Sequence, residues 1–213
     1  MSDNFQVQVA KQAILEKNMK TYAYELLFRN DPLNNFAPED LDGNNATAQV
    51  LVNSFMTIGL DKLAGGKPVF VNFTQELIEQ KMPLLFPKES VIIEVLEDVK
   101  PEKNVLKALR EMSQKGYTIA LDDYIFENDM SEFLKLANII KIDFLAYSLP
   151  EIKEKIQDFP KRILLLAEKI DSEEQFNFAK NNGFNFFIGN IFKNHTLLQV
   201  KRFLISTFIF FKF

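Results

Sequence analysis

Strand-like and helix-like segments alternate along most of this chain of 213 residues. Short apolar runs, such as residues 91–96, are followed by segments with apolar residues at helical spacing, such as residues 102–115. This order is typical of a mainly parallel sheet covered by helices. With an opening hairpin included, the pattern gives eight strands and predicts an α/β fold, a modified TIM-type (β/α)8 barrel. We expect one barrel domain over residues 1–213.

The first two strands are expected to run antiparallel. Residues 7–14 and 19–28 have the character of strands, and only residues 15–18 separate them. A connection this short joins antiparallel strands, whereas parallel strands need a long crossover. Residues 30–45 are then predicted to form a loop and residues 47–63 a helix. The last strand is expected at residues 185–188.

The end of the chain is unusually apolar. Residues 203–213 contain a single charged side chain, that of Lys212. The run is too short for a membrane span, which needs about 20 residues. We interpret it as the end of an amphipathic last helix. Such an end also predicts either a further domain after residue 213 or an interface in a homodimer.

Composition and charge exclude several classes of protein. A formal net charge of -4 argues against nucleic acid or an anionic membrane as the main partner. The chain has no cysteine and one histidine, His195, which excludes disulfides, thiolate sites and multi-histidine zinc sites. The first residues lack the apolar stretch of a secretory signal, so the sequence predicts a cytoplasmic protein.

Six predicted strands end on a carboxylate, an amide or a lysine. In a β/α barrel the carboxyl ends of the strands converge on one mouth. Carboxylate and amide oxygens are the ligands that hard divalent cations prefer. The sequence therefore predicts a cation site at the mouth, built from Glu25, Asn72, Glu94, Asp122, Lys141 and Glu168.

Three of these residues also have a simpler interpretation. Glu25 lies among large apolar residues, so its carboxylate needs either a cation or an ion pair. Asn72 could instead cap the helix that follows it. Glu168 is either a ligand or one half of an ion pair. Glu94 and Glu97 lie three residues apart, which assigns Glu94 to the mouth and Glu97 to support of the loop above it.

The adjacent carboxylates of Asp122 and Asp123 give the sharpest local signal. Two such groups at a strand end repel each other, and a divalent cation relieves that repulsion. The alternative is a turn and helix cap, because Asp also begins helices. Lys141 and Asp143 share a face of one strand, so Lys141 could orient a metal-bound water or simply pair with Asp143.

The order of these residues resembles a known family. The motifs are Glu25-Leu26-Leu27 with Arg29, Asn72, Glu94 with Glu97, Asp122-Asp123-Tyr124, Lys141-Ile142-Asp143 and Ala167-Glu168. They resemble those of EAL domains, the cyclic di-GMP phosphodiesterases of bacterial signalling, over nearly the whole chain. The resemblance implies a Mg²⁺ or Mn²⁺ site.

The same resemblance implies a role for each site residue. The metal ligands are expected to be Glu25, Asn72, Glu94 and Asp122, with Asp123 serving a second ion. In addition, Lys141 and Glu168 are expected to position or activate water, and Arg29 to hold a substrate phosphate.

Three departures from the family pattern favour a degenerate member. Leu26 stands where the family has alanine, residues 124–130 lack the family's glycine, and Ile188 stands where the family has glutamine. The run at residues 24–29, the Asp42-Gly43 loop and the run at residues 58–63 resemble a branch in which the EAL domain precedes an HDOD domain, expected here after residue 213. We therefore expect a non-catalytic signalling module that keeps its cation site and acts through a protein partner or weak cyclic di-GMP binding. The alternative is an active, metal-dependent cyclic di-GMP phosphodiesterase.

Overall fold

The computed structural model describes residues 4–29, 64–123, 131–192 and 199–206, with side chains for residues 10–26, 64–123 and 131–192. The strands of the described residues are β1 (Asn4–Glu16), β2 (Thr21–Arg29), β3 (Val69–Phe73), β4 (Val91–Val95), β5 (Thr118–Leu121), β6 (Ile139–Asp143), β7 (Leu164–Glu168), β8 (Phe186–Phe187) and β9 (Gln199–Ser206). The α-helices are α1 (Gln75–Glu79), α2 (Lys103–Gln114), α3 (Ser131–Leu134), α4 (Leu149–Lys155) and α5 (Glu173–Asn181). Short 3-10 helices lie at Met82–Leu85, Ile156–Asp158 and Asn190–Phe192.

The first eight strands close a barrel, because β1 pairs with β2 on one side and with β8 on the other. From β2 to β8 each strand runs parallel to the next strand in the barrel. β1 runs antiparallel to both of its barrel partners. The predicted barrel with one antiparallel strand from an opening hairpin is therefore confirmed.

β9 corrects the prediction for the end of the chain. Residues 185–188 are not the last strand, and residues 203–206 belong to a strand rather than to a helix. β8 pairs with β1 only at Leu15 and Glu16, so the earlier half of that edge of β1 is left for β9, which pairs antiparallel with residues 4–11. β9 contains the β-branched residues Val200 and Ile205 and the aromatic residue Phe203, which are residue types that favour strands, and its main-chain hydrogen bonds with β1 outweigh a helical tendency.

Side chains along the barrel strands alternate between the barrel interior and the helix layer. In β3, Phe70 packs inside the barrel, whereas Val69, Val71 and Phe73 pack against the helices. We call the interior set the apolar layer; its members are Ile14, Ala23, Phe70, Ile92, Ala120, Ile139, Leu166, Phe186 and Ile188. The interior of the barrel below the mouth is thus a packed core rather than a pore.

The helix layer forms because its helices are amphipathic. In α2 the buried residues recur at helical spacing and face the outer surface of the barrel. These residues are Val105, Leu106, Ala108, Leu109 and Met112. After the helix the chain turns at Gly116, whose φ of +87° is a conformation that glycine adopts without strain.

Several predicted features lie outside the described residues. They are the loop at residues 30–45, the helix at residues 47–63, the glycine-free segment 124–130, His195 and the last residues, 207–213. Within the described part of the chain, no helix combines the length and the apolar character that crossing a membrane requires.

Candidate metal centre at the barrel mouth

The predicted strand-end residues form one polar layer at the mouth of the barrel. Each follows an apolar-layer residue of its own strand by two positions, and this spacing keeps it on the interior face. In β4, for example, Ile92 lies in the apolar layer and Glu94 lies above it, beside Asn72 of β3. The members of this polar layer are Glu25, Asn72, Glu94, Asp122, Lys141 and Glu168.

Lys141 lies at the centre of the polar layer. Its Nζ is 2.9 Å from Glu25 Oε1, 2.6 Å from Asp122 Oδ1 and 2.9 Å from Glu168 Oε1. It also donates a short hydrogen bond to Glu94 Oε1. One ammonium therefore contacts carboxylates from four other strands or strand ends. The simple pair of Lys141 with Asp143, left open by the sequence, is replaced by this larger cluster.

The electrostatics of this cluster are dominated by burial and by like charges. Burial strongly raises the pKa of Glu94, and the neighbouring carboxylates of Glu25 and Asp122 add to that effect against the opposing pull of Lys141. Burial also raises the pKa of Glu168, to about 8. For Lys141 burial lowers the pKa, but the surrounding carboxylates outweigh it and hold the pKa well above its ordinary value. The ammonium therefore stays charged.

Three oxygen atoms of the polar layer are buried without a hydrogen-bond partner among the described residues. They are Asn72 Oδ1, Glu94 Oε2 and Glu168 Oε2. A buried acceptor without a partner is costly, and native proteins supply a donor or a cation at such places. The formal charges point the same way, because one lysine faces four carboxylates. The residues present therefore fit a divalent cation held by hard oxygen ligands.

A second, more exposed cluster borders the first. Lys169 Nζ lies 2.5 Å from Asp143 Oδ2 and 3.4 Å from Asp123 Oδ1. Ligand atoms of Asp122, Asp123 and Glu168 lie within 4.8 Å of one another, so Asp123 joins the two clusters. Lys169 is a site residue that the sequence did not single out, since a lysine beside a glutamate gives no signal beyond a possible ion pair.

The polar layer opens into a cavity of about 420 Å³. Besides the predicted residues, Gln12, Leu145, Lys169 and Asn190 line it. Gln12 could have been found from the hairpin register, because it pairs directly with Glu25. Leu145 and Asn190 lie in segments that follow β6 and β8, and local sequence gives no sign of their position. A cavity of this volume is large enough for a ligand of nucleotide size.

Two predicted site residues are not part of the described centre. Glu97 is exposed in the turn that follows β4 and does not line the cavity. The side chain of Arg29 lies outside the described residues, although its backbone is part of β2. The roles proposed for these two residues stay predictions.

The structure shows where two of the three departures from the family pattern lie. Leu26 is buried among residues that pack against the helices, so it does not crowd the mouth next to Glu25. Ile188 belongs to the apolar layer and borders the cavity with a side chain that is 4% exposed. The third departure, at residues 124–130, lies outside the described residues.

Comparison with known proteins gives relatives but no match to a protein-family model. The chain is 34% identical over 194 residues to the protein named cyclic di-GMP phosphodiesterase CdgJ from Vibrio cholerae, and the match covers 90% of this chain and 45% of that protein. The chain thus spans about half the length of the curated relatives it matches.

Solved structures with the same fold include two complexes with the cyclic dinucleotide. One is a standalone EAL protein from Vibrio cholerae O395 in a c-di-GMP-bound form, with a TM-score of 0.66, 21% identity and coverage of 87% of this chain and 90% of that one. The other is Klebsiella pneumoniae BlrP1 in a complex with calcium and cy-diGMP, with a TM-score of 0.66, 19% identity and coverage of 87% and 54%. At these identities the likeness shows the fold.

These findings correct the expected loss of catalysis. A protein 34% identical over nine-tenths of this chain is named a phosphodiesterase, and Leu26 and Ile188 lie in apolar packing that leaves the polar layer complete. The expectation of a degenerate, non-catalytic module is therefore wrong, and the alternative is the better supported. The chain has the fold of EAL-domain proteins, and both its sequence relatives and its structural neighbours support the resemblance to that family.

Proposed function

We propose that this protein is a metal-dependent phosphodiesterase that hydrolyses cyclic di-GMP to the linear dinucleotide. The observation that carries the proposal is the polar layer, in which carboxylates from four strands or strand ends surround Lys141 at the open end of the barrel. The name of the relative that is 34% identical supports the choice of substrate. The reaction adds water to one phosphodiester bond and releases the ribose oxygen of that bond.

The cation of this site is proposed to be Mg²⁺ or Mn²⁺. Glu25, Asn72, Glu94 and Asp122 would hold it, and the unpartnered oxygens of Asn72 and Glu94 are the atoms that most need such a partner. A bound divalent cation supplies Lewis acidity toward phosphate and makes water a better nucleophile at neutral pH.

Lys141 and Glu168 act on water and on charge within the cavity. Glu168 Oε1 is 2.9 Å from Lys141 Nζ, which fixes the carboxylate, while its Oε2 has no hydrogen-bond partner among the described residues. That oxygen is placed to orient the attacking water and to accept its proton. The ammonium of Lys141 holds Glu25, Asp122 and Glu168 in place and offsets part of their repulsion.

The wider biological role is also a proposal. A cytoplasmic location, a homodimer, a protein partner in signalling and an HDOD-like domain beyond residue 213 are predictions from the sequence. Cell fractionation, light scattering of the purified protein and affinity capture of the full-length protein would test the first three in turn.

The direct test is turnover by the purified protein. We expect linear dinucleotide in a chromatographic assay with cyclic di-GMP and Mn²⁺ or Mg²⁺, and none after EDTA. Glu25→Ala should abolish the product, whereas the exposed Glu97→Gln should retain it if Glu97 lies outside the reacting centre. No product from wild-type protein with either cation would overturn the proposal, as would equal turnover by wild type and Glu25→Ala.

A further inference from the structure

The backbone at Lys169 is held in a conformation that lysine disfavours. Its φ is +55°, in the left-handed region. The flanking residues fix it there: Glu168 O accepts a hydrogen bond of 3.1 Å from Phe144 N, and Ile170 N donates one of 3.2 Å to Ile188 O. A strained residue persists only where its neighbours determine its geometry, and such residues concentrate at functional sites.

Gly189 tightens this arrangement. A side chain at that position would place its first carbon 2.1 Å from Ile170 O, so only glycine allows the segment after β8 to pack against the segment after β7. Lys169 is thus held between the ends of β6 and β8, and its side chain lies along the wall of the cavity. The fold therefore fixes the backbone that carries this side chain, and the ammonium at its end pairs with Asp143 and Asp123.

The charges of the two clusters differ. In the inner cluster Lys141 faces Glu25, Glu94, Asp122 and Glu168, which gives one positive against four negative formal charges, or a net of -3. In the outer cluster the ion pairs of Lys169 among the described residues are with Asp123 and Asp143, one positive against two negative formal charges, or a net of -1. A divalent cation is strongly favoured in the inner cluster and much less so in the outer one.

Asp123 is the residue for which a lysine and a second cation would compete. Its carboxylate lies within 4.8 Å of the ligand atoms of Asp122 and Glu168, so it could join them around an ion. Its Oδ1 instead lies 3.4 Å from Lys169 Nζ. A cation at Asp123 would have to displace the ammonium or tolerate its repulsion.

We propose that the ammonium of Lys169 takes the charge-balancing place beside Asp123 that a second divalent cation would otherwise occupy, so that the centre binds a single divalent cation. The inference rests on the proposed function in one respect, since it assumes that the inner cluster binds its cation. Lys169 is then a positioning residue that decides the metal content of the site.

The test is the number of Mn²⁺ ions bound per chain, measured by equilibrium dialysis and by electron paramagnetic resonance at fixed pH without substrate. We expect one ion for wild type and a second for Lys169→Met, bound about tenfold tighter or more than any second ion in wild type. Lys169→Gly removes the ammonium and also relieves the backbone strain. It should therefore bind a second ion as well, and it provides the test if Lys169→Met folds poorly. Spin coupling between neighbouring Mn²⁺ ions should appear only in these two variants.

Two control variants sharpen the result. Lys169→Arg keeps the positive charge and should bind one ion, and Lys135→Met removes an exposed lysine that pairs with Glu132 and should also bind one. Two ions in wild type, or a single ion in both Lys169→Met and Lys169→Gly, would overturn the inference and leave the proposed function standing. One ion bound by wild type, together with no hydrolysis of cyclic di-GMP, would overturn the proposed function and leave this inference standing.

Discussion

The apolar layer and the polar layer of the barrel lie on the same strands, two residues apart, but they have different roles. Phe70 and Asn72 of β3 both point into the barrel, as do Ile92 and Glu94 of β4. The lower residues are buried against other apolar groups and stabilise the fold. Of the upper residues, Glu94 is buried and Asn72 is half-buried, and an oxygen of each has no hydrogen-bond partner among the described residues. The same strand geometry therefore builds a core at one depth and a candidate metal centre at the next.

Removing a large side chain from the apolar layer should have the largest effect on stability. Phe70 is fully buried, so Phe70→Ala should lower the free energy of unfolding by about 3–5 kcal/mol because it leaves a cavity in a closed barrel. Urea unfolding followed by circular dichroism measures this loss. Leu85→Ala, at a residue that is 55% exposed, is the matched control and should cost far less. Equal losses for both variants would show that the interior is not the packed core described above.

A comparable change in the polar layer should affect activity instead. Burial raises the pKa of Glu94 strongly, which means that the buried negative charge of this side chain lowers the stability of the metal-free fold. Glu94→Gln should therefore leave the thermal midpoint of the metal-free protein unchanged or raise it. Turnover should fall about a hundred- to a thousandfold, as it does when a positioned polar group is lost. A variant that unfolds early and keeps its activity would contradict the division between the layers.

Metal removal should further distinguish the contribution of the polar layer to stability from that of the apolar layer. Binding to the folded state stabilises it by about 2.7 kcal/mol when the free cation exceeds its dissociation constant a hundredfold. Adding Mg²⁺ or Mn²⁺ to EDTA-treated protein should therefore raise the thermal midpoint, and Glu25→Gln should reduce that rise. Identical melting curves with EDTA and with Mg²⁺ would mean that no cation binds and that the carboxylates are balanced by their ion pairs with Lys141 and Lys169 alone.

The smallest effect is expected at a charged residue outside both layers. Glu111 lies between Lys81 and Lys115, and hydrogen bonds from Lys115 and Lys81 lower its pKa from 4.5 to about 2. A depressed carboxyl pKa contributes stability above pH 4.5, and that contribution is lost as the pH falls toward 2. Glu111→Gln should therefore make stability slightly less dependent on pH in that window, as measured by thermal unfolding at low salt. Because Glu111 lies at the surface with its side chain 33% exposed, the change should be small and should vanish at high salt.

Much of the fold could be predicted because it depends on local periodicity. The short apolar run at 91–96 and the helical spacing at 102–115 predicted β4 and α2 within two residues of their observed ends. β9 was missed because its partner, residues 4–11, lies at the opposite end of the chain. A short apolar segment fits a helix or a strand equally well until a free strand edge selects one of them.

The candidate site, like the fold, has features that local sequence predicts and features that depend on contacts between distant residues. The amino-acid sequence by itself determined which residues end the strands and face inward, and so it determined that Glu25, Asn72, Glu94, Asp122, Lys141 and Glu168 share one mouth. It also determined the carboxylate and amide chemistry suited to a divalent cation.

Only the tertiary structure decided how those groups are partnered. Lys141 meets Glu25 across 116 positions of the sequence, and closure of the barrel alone brings the two together. The tertiary structure also placed Glu97 outside the cavity and held Lys169 between two strand ends. Local sequence sets the direction in which a side chain points along its strand, but a contact between distant strands exists only once the barrel has fixed their register.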